Sequence, residues 1–139
     1  MASNTTLCAK QINTNKSNLN SLKLGVETLT AAGAISTTIP VTILSKSDGN
    51  AAMTLADGNH TGQLKIVICG SEHDHSITPT TTAGAYASVT FDDAGGASIG
   101  STVTFMWING TGWAILSRVS GDGDTAAATV KSLPVVATV

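Results

Sequence analysis

SVTFDDAGGASIGSTVTFMWINGTGWAILS, residues 88–117, is the stretch that decides the fold class. Val89 and Phe91 alternate with Ser88 and Thr90 before the Asp92-Asp93-Ala94-Gly95-Gly96 cluster turns the chain. Val103, Phe105 and Trp107 then share one phase, while Thr102, Thr104 and Met106 take the other. Beyond Asn109-Gly110-Thr111-Gly112, the residues Trp113, Ile115 and Ser117 alternate with Ala114 and Leu116. Period-two alternation among β-branched and aromatic residues is the mark of strands. Asn-Gly between two such runs predicts a type I′ hairpin turn, since both residues tolerate positive φ. Both tryptophans and both phenylalanines of the protein lie here, so this meander is the expected core. It holds no His, Cys or Lys, and its only acids are two turn aspartates. A structural role is expected of it, not a chemical one.

The same pattern continues outward. Alternation or short apolar runs predict strands at 26–30, from Ala34-Ile35 to near Pro40, at 41–44, 53–55, 64–69 and 75–79, with one or two more within 125–130 and 134–139. The run 64–69 is apolar except for Lys65, which predicts a central strand buried on both faces. Gly-, Asp- and Asn-rich turns separate the runs, with no helical stripe between them. A loose echo relates Met53-Thr54-Leu55-Ala56-Asp57-Gly58 to Val89-Thr90-Phe91-Asp92-Asp93, each leading through a loop to an apolar strand. Residues 1–24 differ: rich in Asn, Ser and Thr, they predict an extended arm. The expected architecture is all-β, an antiparallel β-sandwich or barrel-like module over 25–139 preceded by that N-terminal arm.

Charged residues make up 12% of the 139, about half the usual share, and the mean hydropathy is positive. Such a surface predicts a member of a permanent assembly. Residues 1–25 carry Lys10, Lys16 and Lys23 and no acid, a charge of +3; the rest has four bases against nine acids, −5. A weakly basic arm ahead of an acidic body suits docking on an acidic protein surface. Three dispersed lysines do not predict nucleic-acid binding. No apolar run reaches the ~20 residues of a membrane span, and no signal-peptide pattern opens the chain, so synthesis in the cytoplasm is expected. Cys8 and Cys69 do not make a disulfide framework, and Cys69 reads as a small buried hydrophobe.

Few clusters suggest chemistry. In Glu72-His73-Asp74-His75, the two histidines fall roughly 6–7 Å apart on one side of an extended strand. They are the candidate metal ligands, with His60 and Cys69 joining only if the fold brings them in; a zinc site needs three or four ligands, which favours a solvated loop. Asp122-Gly123-Asp124-Thr125 lacks most of a calcium loop, and Asp92-Asp93 has no nucleophile beside it, so both read as turns. The sequons at Asn4, Asn59 and Asn109 read as chance matches without a secretory route. Trp107 and Trp113 offer a sugar-stacking platform as the alternative to a core role, and the shared phase of Trp107 with Val103 and Phe105 favours the core.

The run Leu29-Thr30-Ala31-Ala32-Gly33-Ala34-Ile35-Ser36, then Val41-Thr42-Ile43-Leu44, then Leu55-Ala56-Asp57-Gly58-Asn59-His60-Thr61-Gly62-Gln63-Leu64-Lys65 resembles small virion proteins of tailed phages, especially marine and cyanobacterial ones. Ser88-Val89-Thr90-Phe91-Asp92-Asp93-Ala94-Gly95 and the run 107–116 fit the same pattern, so the resemblance spans roughly 26–119. It implies a non-enzymatic virion component, often homotrimeric, with no cofactor and no catalytic residue to carry over. Capsid decoration (cement) proteins and fibre modules both use such units. The expectation is a decoration protein on the outside of a phage head, made in the host cytoplasm and located in the virion. Its partners would be the major capsid protein and its own copies as a homotrimer, with neither nucleic acid nor membrane. Lys10, Lys16 and Lys23 would clamp neighbouring capsid subunits, and the tail 126–139 would pack between protomers. The alternative is a tail-fibre or head-fibre module that recognises a host surface glycan.

Overall fold

The structure, a computed structural model, describes residues 24–91, 99–119 and 135–137. Its elements are all strands: β1 (Val26–Leu29), β2 (Gly33–Ile35), β3 (Val41–Leu44), β4 (Ala52–Leu55), β5 (Leu64–Cys69), β6 (Ser76–Pro79), β7 (Ser88–Thr90), β8 (Thr102–Ile108), β9 (Gly112–Val119) and β10 (Val135–Ala137). They form two five-stranded sheets, ordered β1-β3-β5-β8-β9 (sheet one) and β10-β7-β6-β4-β2 (sheet two). The all-β expectation holds, as does the strand series from 26 to 117, except that β2 stops at Ile35 and does not continue to Pro40.

Neither "antiparallel" nor "barrel-like" describes the pairing. From β1 to β6 the chain crosses between the sheets at every step, so β1, β3 and β5 run parallel in one sheet and β2, β4 and β6 run parallel in the other. Parallel neighbours need a crossover connection, and here a strand of the opposite sheet supplies it. The result is three turns of a flattened coil. Antiparallel pairing begins at β6–β7 and continues through β5–β8, β8–β9 and β7–β10. The sheets stay separate and do not close into a barrel. The echoed segments both cross from sheet two to sheet one, β4 to β5 and β7 to β8, but in opposite directions.

Alternation fills the space between the sheets. Leu44, Val67, Cys69, Val103, Phe105 and Trp113 from sheet one meet Ile35, Met53, Leu55, Ile77 and Val89 from sheet two, with Phe91 just beyond β7. Phe105 and Trp107 both stand edge-on to Trp113, at 6.4 and 5.5 Å between ring centres. Truncating an aromatic ring buried this way typically costs about 3–5 kcal/mol. Buried Tyr86 donates from its hydroxyl to the Trp113 carbonyl at 2.5 Å, and burial pushes its pKa up to about 12.

Two details of the β8–β9 hairpin depart from expectation. Ile108 pairs with Gly112, leaving a three-residue loop in which Gly110 alone has positive φ (73°); Asn109 does not, so the turn is not type I′. The register also slips between Thr104 and Phe105, which pair with Ser117 and Ile115, so Leu116 is an extra, bulged residue. The bulge moves Ser117 off the face of Trp113 and Ile115 and onto the outer face beside Thr104.

Candidate functional site

The histidine cluster lies in the turn before β6. His75 is fully buried, and its Nδ1 accepts the Ala51 N–H at 3.1 Å. Its proton therefore sits on Nε2, which donates to Ser71 Oγ at 2.7 Å, and that hydroxyl donates to the Lys46 carbonyl at 2.7 Å. Burial above all, with the nearby His73 and Lys46 adding and Asp74 opposing, pushes the His75 pKa below its ordinary value. A Ser–His contact of this length suggests an activated nucleophile, but the wiring is reversed. A general base would need a bare Nε2 to take the serine proton, and here Nε2 already carries one. His73 lies 6.2 Å away, ring centre to ring centre, near the expected spacing, and its Nε2 donates to the Ser47 carbonyl at 3.0 Å. The buried thiol of Cys69 contacts the Ser71 carbonyl at 3.1 Å. Among the described residues, no three His, Cys, Asp or Glu side chains converge on a common point. The histidines brace the 46–51 and 71–75 turns against each other.

Sequence reasoning missed a second polar cluster. β5 is central in sheet one, as expected, yet its two faces differ. Lys65 points inward and is completely buried, while its neighbour Leu64 is 47% exposed. The Lys65 ammonium meets Glu27 at 3.1 Å and the carbonyls of Ser36 and Ile39 at 2.8 and 2.6 Å. The same Glu27 oxygen accepts from Thr42 Oγ1 at 2.5 Å and from the Ser36 N–H at 3.0 Å. Burial opposes ionisation of Glu27, but the bonds from Thr42 and Lys65 outweigh it and hold the carboxyl below its usual pKa. Burial pushes Lys65 downward, with Glu27 counteracting. Three backbone groups and the Thr42 hydroxyl bond to this ion pair, which ties β1 and the β2–β3 crossing to the centre of the sheet. One signal was available: Glu27, Thr42 and Lys65 all occupy the inward phase of their strands.

Trp107 and Trp113 are 6% and 0% exposed. Trp113 Nε1 donates to the Ala56 carbonyl and Trp107 Nε1 to Asn109 Oδ1, both at 2.8 Å. Trp107 also packs closely on Gly58, where a Cβ would stand 2.4 Å from Cγ of the indole. The core role holds, and neither ring is open to a sugar. Lys10, Lys16, Lys23, Asp92, Asp93, Asp122 and Asp124 lie outside the described residues.

What remains are the outer faces of the two sheets. Residues paired across strands share a face. On sheet one, Val26, Val41, Ile66, Thr104 and Ser117 form one outward row, and Thr28, Ile43, Ile68, Thr102 and Val119 the next. Leu64, Met106 and Ala114 make a third. No charged side chain stands in any of them. Val26, Leu64 and Val119, with the bulged Leu116, are about half exposed. On sheet two, the corresponding rows are Ala34-Thr54-Thr78 and Ala52-Ser76-Thr90.

Compared with models of known protein families and with curated proteins, the chain matches none. The reading of the surface therefore rests on its chemistry and on the resemblance drawn from the sequence.

Proposed function

We propose that this chain is a structural protein of a phage virion: a decoration protein that binds the outside of the head shell as a homotrimer and stabilises it. The observation that carries this reading is the outer face of sheet one, broad, aliphatic and uncharged. Contiguous apolar surface of that size on a soluble domain marks a contact with protein. The inward wiring of His75 and Lys65 agrees with it, since the most elaborate polar clusters among the described residues act as braces.

Binding to the assembled lattice, and not to its separated subunits, stabilises the lattice by mass action, and several weak contacts per trimer add through avidity. The arm carrying Lys10, Lys16 and Lys23 supplies the clamp on acidic patches of the major capsid protein. The glycan-reading fibre module is the weaker alternative, because Trp107 and Trp113 are committed to the core. Head shells stripped of this protein and titrated with the purified chain test the proposal. Saturable binding at hundreds of copies per head, with raised resistance of the shell to heat, is expected. A chain lacking residues 1–24 should bind at least tenfold more weakly. Absence of binding to shells, or a copy number of a few dozen in virions, overturns the decoration reading.

A further inference from the structure

We infer that Asn109 is a site of spontaneous covalent modification: in the folded chain its side-chain amide is lost to attack by the backbone nitrogen of Gly110, leaving aspartate or isoaspartate in the β8–β9 loop. The inference does not depend on the virion reading.

The chemistry is a ring closure followed by hydrolysis. The Gly110 nitrogen adds to Cγ of Asn109, and the new C–N bond closes a five-membered succinimide as the Cγ–Nδ2 bond breaks. Nδ2 leaves as ammonia, taking up the proton that the Gly110 nitrogen gives up. Water then opens the ring at either carbonyl. One opening gives aspartate; the other gives isoaspartate, whose main chain runs through the former side-chain carbon. Water is the sole co-reactant.

Four observations place the reaction here. The first is sequence: of the eight asparagines, Asn109 alone precedes a glycine, whose lack of a side chain leaves its nitrogen unhindered. The second is access. Asn109, Gly110 and Thr111 are exposed, and a Cβ built on Gly110 would meet no atom within 4 Å. The third is the pattern of bonds. Trp107 Nε1 donates to Asn109 Oδ1 at 2.8 Å, the oxygen on which negative charge develops as the nitrogen adds. The leaving Nδ2 and the attacking Gly110 N–H make no hydrogen bond among the described residues. The fourth is the frame around the pair. The Asn109 N–H donates to Thr61 Oγ1 at 2.9 Å and the Thr111 N–H to the Ile108 carbonyl at 3.0 Å, so the loop is held on both sides of the reacting atoms. Asn50 shows the opposite arrangement. The nitrogen that would attack it belongs to buried Ala51 and donates to His75 Nδ1.

Mass spectrometry of the full chain, kept folded at pH 8.5 and 37 °C in ordinary and in ¹⁸O-labelled water, tests the inference. A gain of about 1 Da per chain, or about 3 Da in the labelled solvent, is expected. Peptide mapping should assign it to Asn109 as two separable products, formed at least tenfold faster than at any other asparagine. Gly110→Ala should slow the gain at least tenfold. Asn109→Gln, an exposed change that would require a six-membered ring, should abolish it at this position even if the alanine variant fails to fold. The unaltered chain in urea at the same pH gives the unfolded rate, and a folded rate at Asn109 equal to it or higher is expected. A folded rate ten or more times lower would mean that the loop shields the pair, and it overturns the inference. So does a chain that gains no mass, a gain mapped to another asparagine, or one that neither variant alters.

Discussion

The two sheets follow one rule on their inner sides and opposite rules outside. Inward, both present aliphatic and aromatic side chains to a shared core. Outward, sheet two shows Thr54, Thr78, Ser76 and Thr90, while sheet one shows Ile43, Ile66, Ile68 and Met106. Folding explains the inner faces, because burying them is what holds the sheets together. It does not explain the outer ones, where hydroxyls and aliphatics serve a pleated surface almost equally well. On the proposed reading, the difference reports surroundings: water for sheet two, a protein partner for sheet one.

The largest effect expected contrasts two adjacent residues of β5. Lys65→Met should lower the unfolding free energy by about 3–5 kcal/mol, since it leaves Glu27 inside without its cation. Urea denaturation measures this, and adding Glu27→Leu should restore much of the loss. Leu64→Lys, one position earlier but facing out, should leave the monomer's stability nearly unchanged; equal costs at both positions would mean the inward phase has been misassigned.

Next comes Gly58→Ala, which forces a methyl into the Trp107 ring and should cost about 1–3 kcal/mol, read as a lowered thermal midpoint with a changed tryptophan emission.

A pH series sharpens the comparison on the sheet-two side, where His75 leads into β6. Its folded pKa lies below the unfolded value near 6.5, so above that pH neither state takes the proton. As pH falls below about 6.5, the unfolded chain protonates first and stability should decline, by up to about 1.4 kcal/mol per pH unit until the folded pKa is reached. His75→Gln should flatten the slope between pH 6.5 and 5; an unchanged slope would assign it to other groups. Smallest of all, Thr78→Lys on the outer face of sheet two should change stability by less than about 0.5 kcal/mol and leave the association state untouched. A loss of stability as large as that expected for Lys65→Met would mean that Thr78 does not face outward.

Much of the fold was legible because strands announce themselves locally. The ends of β3 and β5 fall where the apolar runs do, and Val103, Phe105 and Trp107 point inward as their phase requires. Lys65 was harder. An isolated lysine in an apolar run reads as an interruption, since the atoms that accept its protons lie 26 to 38 positions away. The histidines were legible as a pair, but their roles were not. Whether His75 can bind a metal or take a proton depends on Ala51 and Ser71, which nothing in the local pattern connects to it.

The amino-acid order alone determined that this chain is built of short strands, roughly where each lies, and which side chains alternate together. Those properties depend on neighbours within a few residues. Only the tertiary structure decided that successive strands cross between two sheets and so lie parallel, that a lysine goes inside, and that one outer face is aliphatic and the other hydroxylic. Each of these turns on pairings between residues many positions apart, where local pattern carries no information about which sheet a strand will join.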